Sequence, residues 1–243
     1  MCGRYNLITD AGALVDYFEI EHALFNYPGP RYNIAPGQDV PVIRQSAQGR
    51  ELINARWGLV PNWSRESKPG YSTINARAES VADKPAYRNP FRHKRCLIPA
   101  SGFYEWKRAD GQKTPYHIHL PENEMFAFAG LWDHWDKEGE GFDSCTIIVT
   151  TANQAVRPVH DRMPVILNRA QYNTWLNTGR FSRTQLESML VPYAGLMDVH
   201  PVSRHVNSPM HDDPECLTGA GRHPFPVSVR ITARIHKVKA GPG

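Results

Sequence analysis

Apolar and polar positions change period several times along this chain, and each change suggests an element. Leu14, Val15 and Phe18 are spaced for one buried helix face, with Thr9 or Asp10 as the cap and an end near Glu19. Tyr27-Pro28-Gly29-Pro30 and Ala35-Pro36-Gly37 read as loops. Segments 40–45 and 51–59 read as strands joined across Ala47-Gln48-Gly49. Further strands are predicted at 95–99, 102–107, 115–120, 125–131, 144–150 and 163–167, with Asp133-His134-Trp135-Asp136 as a turn beside a strand. Helices are predicted at 153–158, at 168–177 after Asn168, and at 183–190. This order lacks the β-α-β alternation of a parallel sheet. The expectation is one α+β domain over residues 1–218, built around an antiparallel, partly barrel-like β-sheet with short flanking helices.

Past residue 218 the pattern changes. Gly219-Ala220-Gly221 and Pro224-Phe225-Pro226 break structure, and then Val227, Val229, Ile231, Ala233 and Ile235 alternate with polar or cationic residues. The 219–243 segment reads as a basic tail, and both an added edge strand and a loosely ordered arm stay open.

Composition refines this picture. At 243 residues and 41% hydrophobic content, the chain can fill a sizeable core. No apolar run approaches the roughly 18 residues needed to span a bilayer, and Arg4, Asp10, Asp16, Glu19 and Glu21 do not suit a signal peptide. A cytoplasmic location is expected, or a nuclear one in a eukaryote. The net charge of +4 is concentrated in the tail, since the residues before 219 carry 23 basic and 24 acidic side chains. A nucleic-acid surface would therefore have to come from local clusters. Cys2, Cys96, Cys145 and Cys216 are widely spaced, without the pairing of a zinc ribbon or a disulfide framework.

The candidate chemistry starts at Met1-Cys2-Gly3. Removal of Met1 would leave Cys2 with a free α-amine and a thiol on adjacent carbons, and both groups can attack one aldehyde carbon. At pH 7.4 an α-amine has a free-base fraction on the order of a few hundred times that of lysine. In Asn75-Ala76-Arg77, strand spacing puts amide and guanidinium on one face, fit for a sugar oxygen and a phosphate; a turn Asn beside a surface Arg is the plain alternative. Glu105 lies among aromatics in Phe103-Tyr104-Glu105-Trp106, surroundings that raise a carboxyl pKa, although a surface Glu on a strand reads equally well. His160-Asp161-Arg162 combines a proton carrier with a guanidinium. His117-x-His119 has metal-ligand spacing, but the surrounding sequence supplies no Cys or carboxylate pattern, so a solvated or core pair is expected. Basic and aromatic residues also meet at Arg56-Trp57, Trp63-Ser64-Arg65 and Arg88 through Arg95, either as stacking surfaces for single strands or as a charged surface over a core.

Taken in order, several segments resemble the SRAP (SOS-response-associated peptidase) family of abasic-site processing proteins. They are Met1-Cys2-Gly3-Arg4-Tyr5, Arg31-Tyr32-Asn33-Ile34-Ala35-Pro36, Arg56-Trp57-Gly58-Leu59-Val60-Pro61, Asn75-Ala76-Arg77-Ala78-Glu79, Arg95 through Trp106, Ala129-Gly130-Leu131-Trp132 and His160 through Leu167. The resemblance implies recognition of abasic sites in single-stranded DNA and a thiazolidine cross-link through Cys2. It also implies that Asn75 holds the opened sugar, that His160 assists ring opening, and that Glu105 serves as general acid/base and helps reverse the link. Arg4, Arg77 and Arg162 would bind phosphates, while Asn33 and Trp106 line the channel. Some AP-lyase side activity and self-removal of Met1 are further implications. No cofactor, metal or membrane partner is expected. A monomer is expected, with replication-fork proteins as candidate partners.

Two rival classes remain at this stage. Class II glutamine amidotransferases also begin Met-Cys-Gly and use the thiolate on an amide, and a non-covalent single-strand binder would make Cys2 incidental.

Overall fold

A computed structural model describes residues 2–67, 73–109, 111–137 and 139–219. The tail pattern at 227–236 lies outside the described residues. In chain order the strands are β1 (Tyr5–Leu7), β2 (His22–Ala23), β3 (Arg31–Ile34), β4 (Asp39–Ser46), β5 (Gly49–Trp57), β6 (Asn75–Arg77) and β7 (Arg95–Ala100). They continue as β8 (Gly102–Ala109), β9 (Gln112–His119), β10 (Phe126–Lys137), β11 (Glu140–Thr151), β12 (Arg162–Pro164), β13 (Ile166–Leu167) and β14 (Asp198–Pro201). The α-helices are α1 (Ala11–Phe18), α2 (Arg88–His93), α3 (Tyr172–Leu176) and α4 (Arg183–Glu187). Strand makes up 41% of the described residues and helix, 3-10 turns included, 18%, so the helices trim a β framework.

The larger sheet runs β12-β11-β10-β7-β4-β5-β2, and β11 also pairs with β5 through Ser144↔Arg56 and Cys145↔Trp57. That extra pairing closes β11, β10, β7, β4 and β5 into a ring, which makes the sheet barrel-like and removes its free edges there. The closing pair is parallel, as are β6–β11 and β2–β5, while the other ladders are antiparallel. A second sheet, β14-β9-β8-β1-β3, lies across this barrel. Its β1, between β8 and β3, is pinned by Tyr5, which is fully buried and meets Trp57 and Phe128 edge-on at 5.3 and 5.7 Å. Burying an aromatic of this size contributes about 2 kcal/mol or more. It fixes the start of the chain three residues after Cys2.

Most predicted elements are present, and the departures have local causes. Asp10 caps α1 by accepting from the Ala13 N–H at 2.8 Å, and Leu14 and Phe18 face the core. Residues 133–136 form no turn; they continue β10, whose hairpin with β11 closes only at Lys137↔Glu140. Buried Asp133 explains the continuation, because it accepts from Lys94 and from the Asn62 N–H at 2.5 and 2.9 Å. The predicted helix at 153–158 is a set of turns. Asn153 caps Val156, and Pro158 lacks the N–H a helix would need next. The 168–177 segment splits into a 3-10 turn at Arg169–Gln171 and α3, and the predicted 183–190 helix is five residues long. Strands β1, β3 and β14, of three or four residues, are too short to show a period.

Arg95 corrects the reading of the Arg88–Arg95 cluster as a possible stacking surface. It is 2% exposed and donates to the carbonyls of Trp175, Phe91, Arg92 and Asn177 at 2.6–2.9 Å. It therefore ties α2 and α3 to β7. Trp57 is likewise core.

Candidate functional site

Cys2 is fully buried at the head of β1. Its carbonyl accepts from Asn75 Nδ2 at 2.8 Å, and its Sγ lies 3.8 Å from the Arg4 carbonyl. Asn75 opens β6, which runs parallel to β11 with Ile147↔Asn75 in register, so the barrel wall delivers this amide to the chain start. Asn75 Oδ1 is buried and has no hydrogen-bond partner among the described residues. Such an atom costs free energy unless something donates to it.

Glu105 lies on β8, 3% exposed. Burial pushes its carboxyl above the usual range, so it holds its proton to higher pH than a surface glutamate. Burial first, and then the neighbouring Glu105 charge, push the Cys2 thiol well up, so the sulfur is a thiol rather than a thiolate at neutral pH. His160 follows the 153–159 turns, and its Nε2 lies 4.0 Å from Glu105 Oε2. The Arg162 N–H points at His160 Nδ1 from 3.0 Å. Asp161 Oδ1 lies 2.9 Å from the same nitrogen, so both contacts engage Nδ1 and the Nε2 edge is left facing Glu105. The four side chains expected to carry chemistry thus meet in one place: Asn75 on Cys2, Cys2 beside Glu105, and Glu105 beside His160.

The cationic residues surround this centre unevenly. Arg77 is exposed opposite Val149, and Arg162 is half-buried opposite Thr151, so the two flank the end of β11. Arg162 also pairs with Glu79. Arg4 donates to Asn33 Oδ1 and the Val206 carbonyl, both at 2.8 Å, and to the Asn207 carbonyl at 3.2 Å. Its guanidinium lies 5.9 Å from the centre of the Trp106 ring. Asn33, expected to line a channel, is fully buried, and its Nδ2 reaches the Val206, Ser208 and His211 carbonyls. With these partners it positions Arg4 and the 206–211 loop and presents no surface of its own.

Trp106 is half-exposed and donates to Asn207 Oδ1 at 2.8 Å. A cleft of about 400 Å³ opens here, lined by Gly3, Arg4, Trp106, Lys113 and Asn207. Lys113 and Asn207 are additions that the sequence reading did not single out. The β8–β9 hairpin register returns Lys113 to within 5.2 Å of the Trp106 ring, and that hairpin was the available signal. Asn207 arrives from a hundred residues away and left none. Among the described residues, two groups of ligand-type side chains lie apart from this centre: His117, His119 and His200, and His205, Asp213 and Cys216.

A family model described as SOS response associated peptidase (SRAP) matches residues 1–209. The chain belongs to the SRAP family. Its relatives include the abasic site processing protein YoqW of Bacillus subtilis, 42% identical over 221 residues, which are 89% of this chain and 99% of YoqW. The abasic site processing protein HMCES of Gallus gallus is 34% identical over 77% of this chain and 66% of its own length. Among solved structures, a crystal structure of a Bacteroides thetaiotaomicron protein superposes with a TM-score of 0.79 at 27% identity, over 90% of this chain and all of that one. That likeness is one of fold over nine-tenths of this chain. Among the described residues, no helix is long and apolar enough to cross a membrane.

Proposed function

We propose that this SRAP protein processes abasic sites in single-stranded DNA by linking Cys2, freed of Met1, to the open-chain deoxyribose. The observation that carries the reading is the Asn75–Cys2 hydrogen bond. It fixes the backbone of the nucleophile residue and leaves the other half of the same amide, Oδ1, for a sugar hydroxyl.

In this reading His160 relays a proton from the C1 hydroxyl of the closed sugar to its ring oxygen as the C1–O bond breaks, which exposes the aldehyde and leaves the imidazole as it was. The Cys2 amine attacks the aldehyde carbon, and loss of one water leaves an imine. The amine must act first, because burial keeps the sulfur protonated. The thiol then adds across the C=N bond. A C–S bond forms, and the thiol proton ends, by way of a neighbouring base, on the former imine nitrogen, which becomes the ring amine of a thiazolidine. Glu105, protonated more readily than an ordinary carboxylic acid, supplies the proton that reopens the ring when the link reverses. At the imine stage the sugar's C2 protons are acidic, and β-elimination of the 3′ phosphate gives a minor lyase activity that ring closure suppresses. Arg77, Arg162 and Arg4 contact phosphates, with Trp106 and Lys113 extending the strand path.

Incubation with abasic single-stranded DNA followed by denaturing electrophoresis tests this. A near-stoichiometric adduct is expected, lost in Cys2→Ala and in a chain that retains Met1. Normal cross-linking by Cys2→Ala would overturn the thiazolidine mechanism.

A further inference from the structure

We propose that His117, His119 and His200 form a binding site for one divalent zinc-class cation. The site lies on the sheet face opposite Glu105, because Tyr104↔His117 and Glu105↔Tyr116 alternate across the β8–β9 ladder. His117 and His119 share a face of β9, and the antiparallel β9–β14 register sets His200 directly opposite His117. The three ring centres are 4.9, 5.3 and 5.5 Å apart. Three imidazoles on a tetrahedral ion, with metal–nitrogen distances of ~2.0–2.1 Å, have ring centres about 5 Å apart. One ring nitrogen from each residue already lies within 4.8 Å of the others. Binding needs them at roughly 3.3 Å, which ring rotation on a fixed strand pair can supply.

The protonation pattern fits as well. A metal takes an unprotonated imidazole nitrogen. His119 Nδ1 lies 2.7 Å from the Leu120 carbonyl. A carbonyl only accepts, so Nδ1 holds the proton and the Nε2 lone pair stays open, the arrangement that orients metal-ligating histidines. His117 Nε2 touches the Asn6 amide at 2.9 Å, while Asn6 Oδ1 has no partner among the described residues. Turning that amide gives up the Asn6 Nδ2 donation to the Tyr104 hydroxyl at 3.2 Å, but lets Oδ1 accept the Nε2 proton and leaves His117 Nδ1 for the ion. Gly102 makes this ring position available, since a Cβ there would sit 2.2 Å from His117 Nε2. Half-buried His200, on the edge strand β14, leaves a route for the ion and for a water as fourth ligand. Asp198, opposite His119 in the ladder, adds a negative charge that acts on His200.

The second group is a poorer candidate. His205 Nε2 is paired with Asp213 at 2.9 Å, and Cys216 Sγ lies 3.5 Å from the His211 carbonyl. A cation on the histidine triad would staple β14 to the sheet, and with it the following segment whose Val206 and Asn207 carbonyls hold Arg4.

Titration of the full chain with ZnCl2 against a chromophoric chelator tests the proposal. One equivalent should bind with Kd below about 1 µM. At 100-fold excess over Kd the melting temperature should rise by about 5–10 °C. His200→Asn and His119→Gln should each weaken binding by about 100-fold or more, and His205→Ala should leave it unchanged. Co²⁺ in the unmodified chain provides a measurement independent of any variant's folding. Visible bands of tetrahedral nitrogen coordination are expected. Absence of binding at tens of micromolar ZnCl2, undiminished binding in His200→Asn, or an intense sulfur-to-cobalt charge-transfer band from Cys216 would each overturn the assignment.

Discussion

Glu105 shows how one residue links stability to chemistry in this fold. Its folded-state pKa is raised by burial, so the folded chain binds this proton more tightly than the unfolded chain does. The stabilisation is fully present below the unfolded value of about 4.3 and is lost as pH rises through the folded value. Near pH 7 the carboxyl therefore costs stability. Glu105→Gln should melt above the parent at pH 7, with the gap closing as pH falls below about 4. The same variant should release DNA cross-links more slowly. A parent and variant with the same melting difference at both pH values would contradict the burial argument, and an unchanged release rate would remove the acid role. The local sequence made this residue legible, because aromatic neighbours on both sides are what raise a carboxyl. The role of Asn33 was not legible, since it is set by carbonyls more than 170 residues away.

At the scale of elements, the longer strands could be read from their sequence pattern, whereas their register and the shortest pieces that build the site could not. Strands β1, β3 and β6 are three or four residues each. They are held by partners in other parts of the chain rather than by their own pattern, as β6 is by β11. Arg95 illustrates the same limit: in sequence it belongs to a basic run, yet in the structure it fastens two helices to the barrel. Arg95→Met keeps the length of the side chain but strands four carbonyl acceptors, and should cost about 3–5 kcal/mol in urea denaturation. A change below about 0.5 kcal/mol would mean that water replaces those bonds freely.

For the whole molecule, the closed barrel and the sheet laid across it bring the chain start, β6, β8 and the turn before β12 to one place. Those four pieces carry Cys2, Asn75, Glu105 and His160, and the ordered family segments made them readable before any coordinates. Lys113 and Asn207 were not, because their place depends on a hairpin return and a distant loop. The exposed cations also act at this scale. Arg77→Ala should weaken binding to intact single strands and reduce the slope of log K against log salt by about 0.7. An unchanged slope would argue against a phosphate contact. The central claim is that Cys2, freed of Met1, forms the bond to DNA. Intact and peptide mass spectrometry after mixing with abasic single-stranded DNA tests it most directly. The predicted result is a chain lacking Met1, with the DNA mass added less one water and the link mapped to Cys2. An adduct mapped to a lysine, or formed equally by chains that retain Met1, would contradict it.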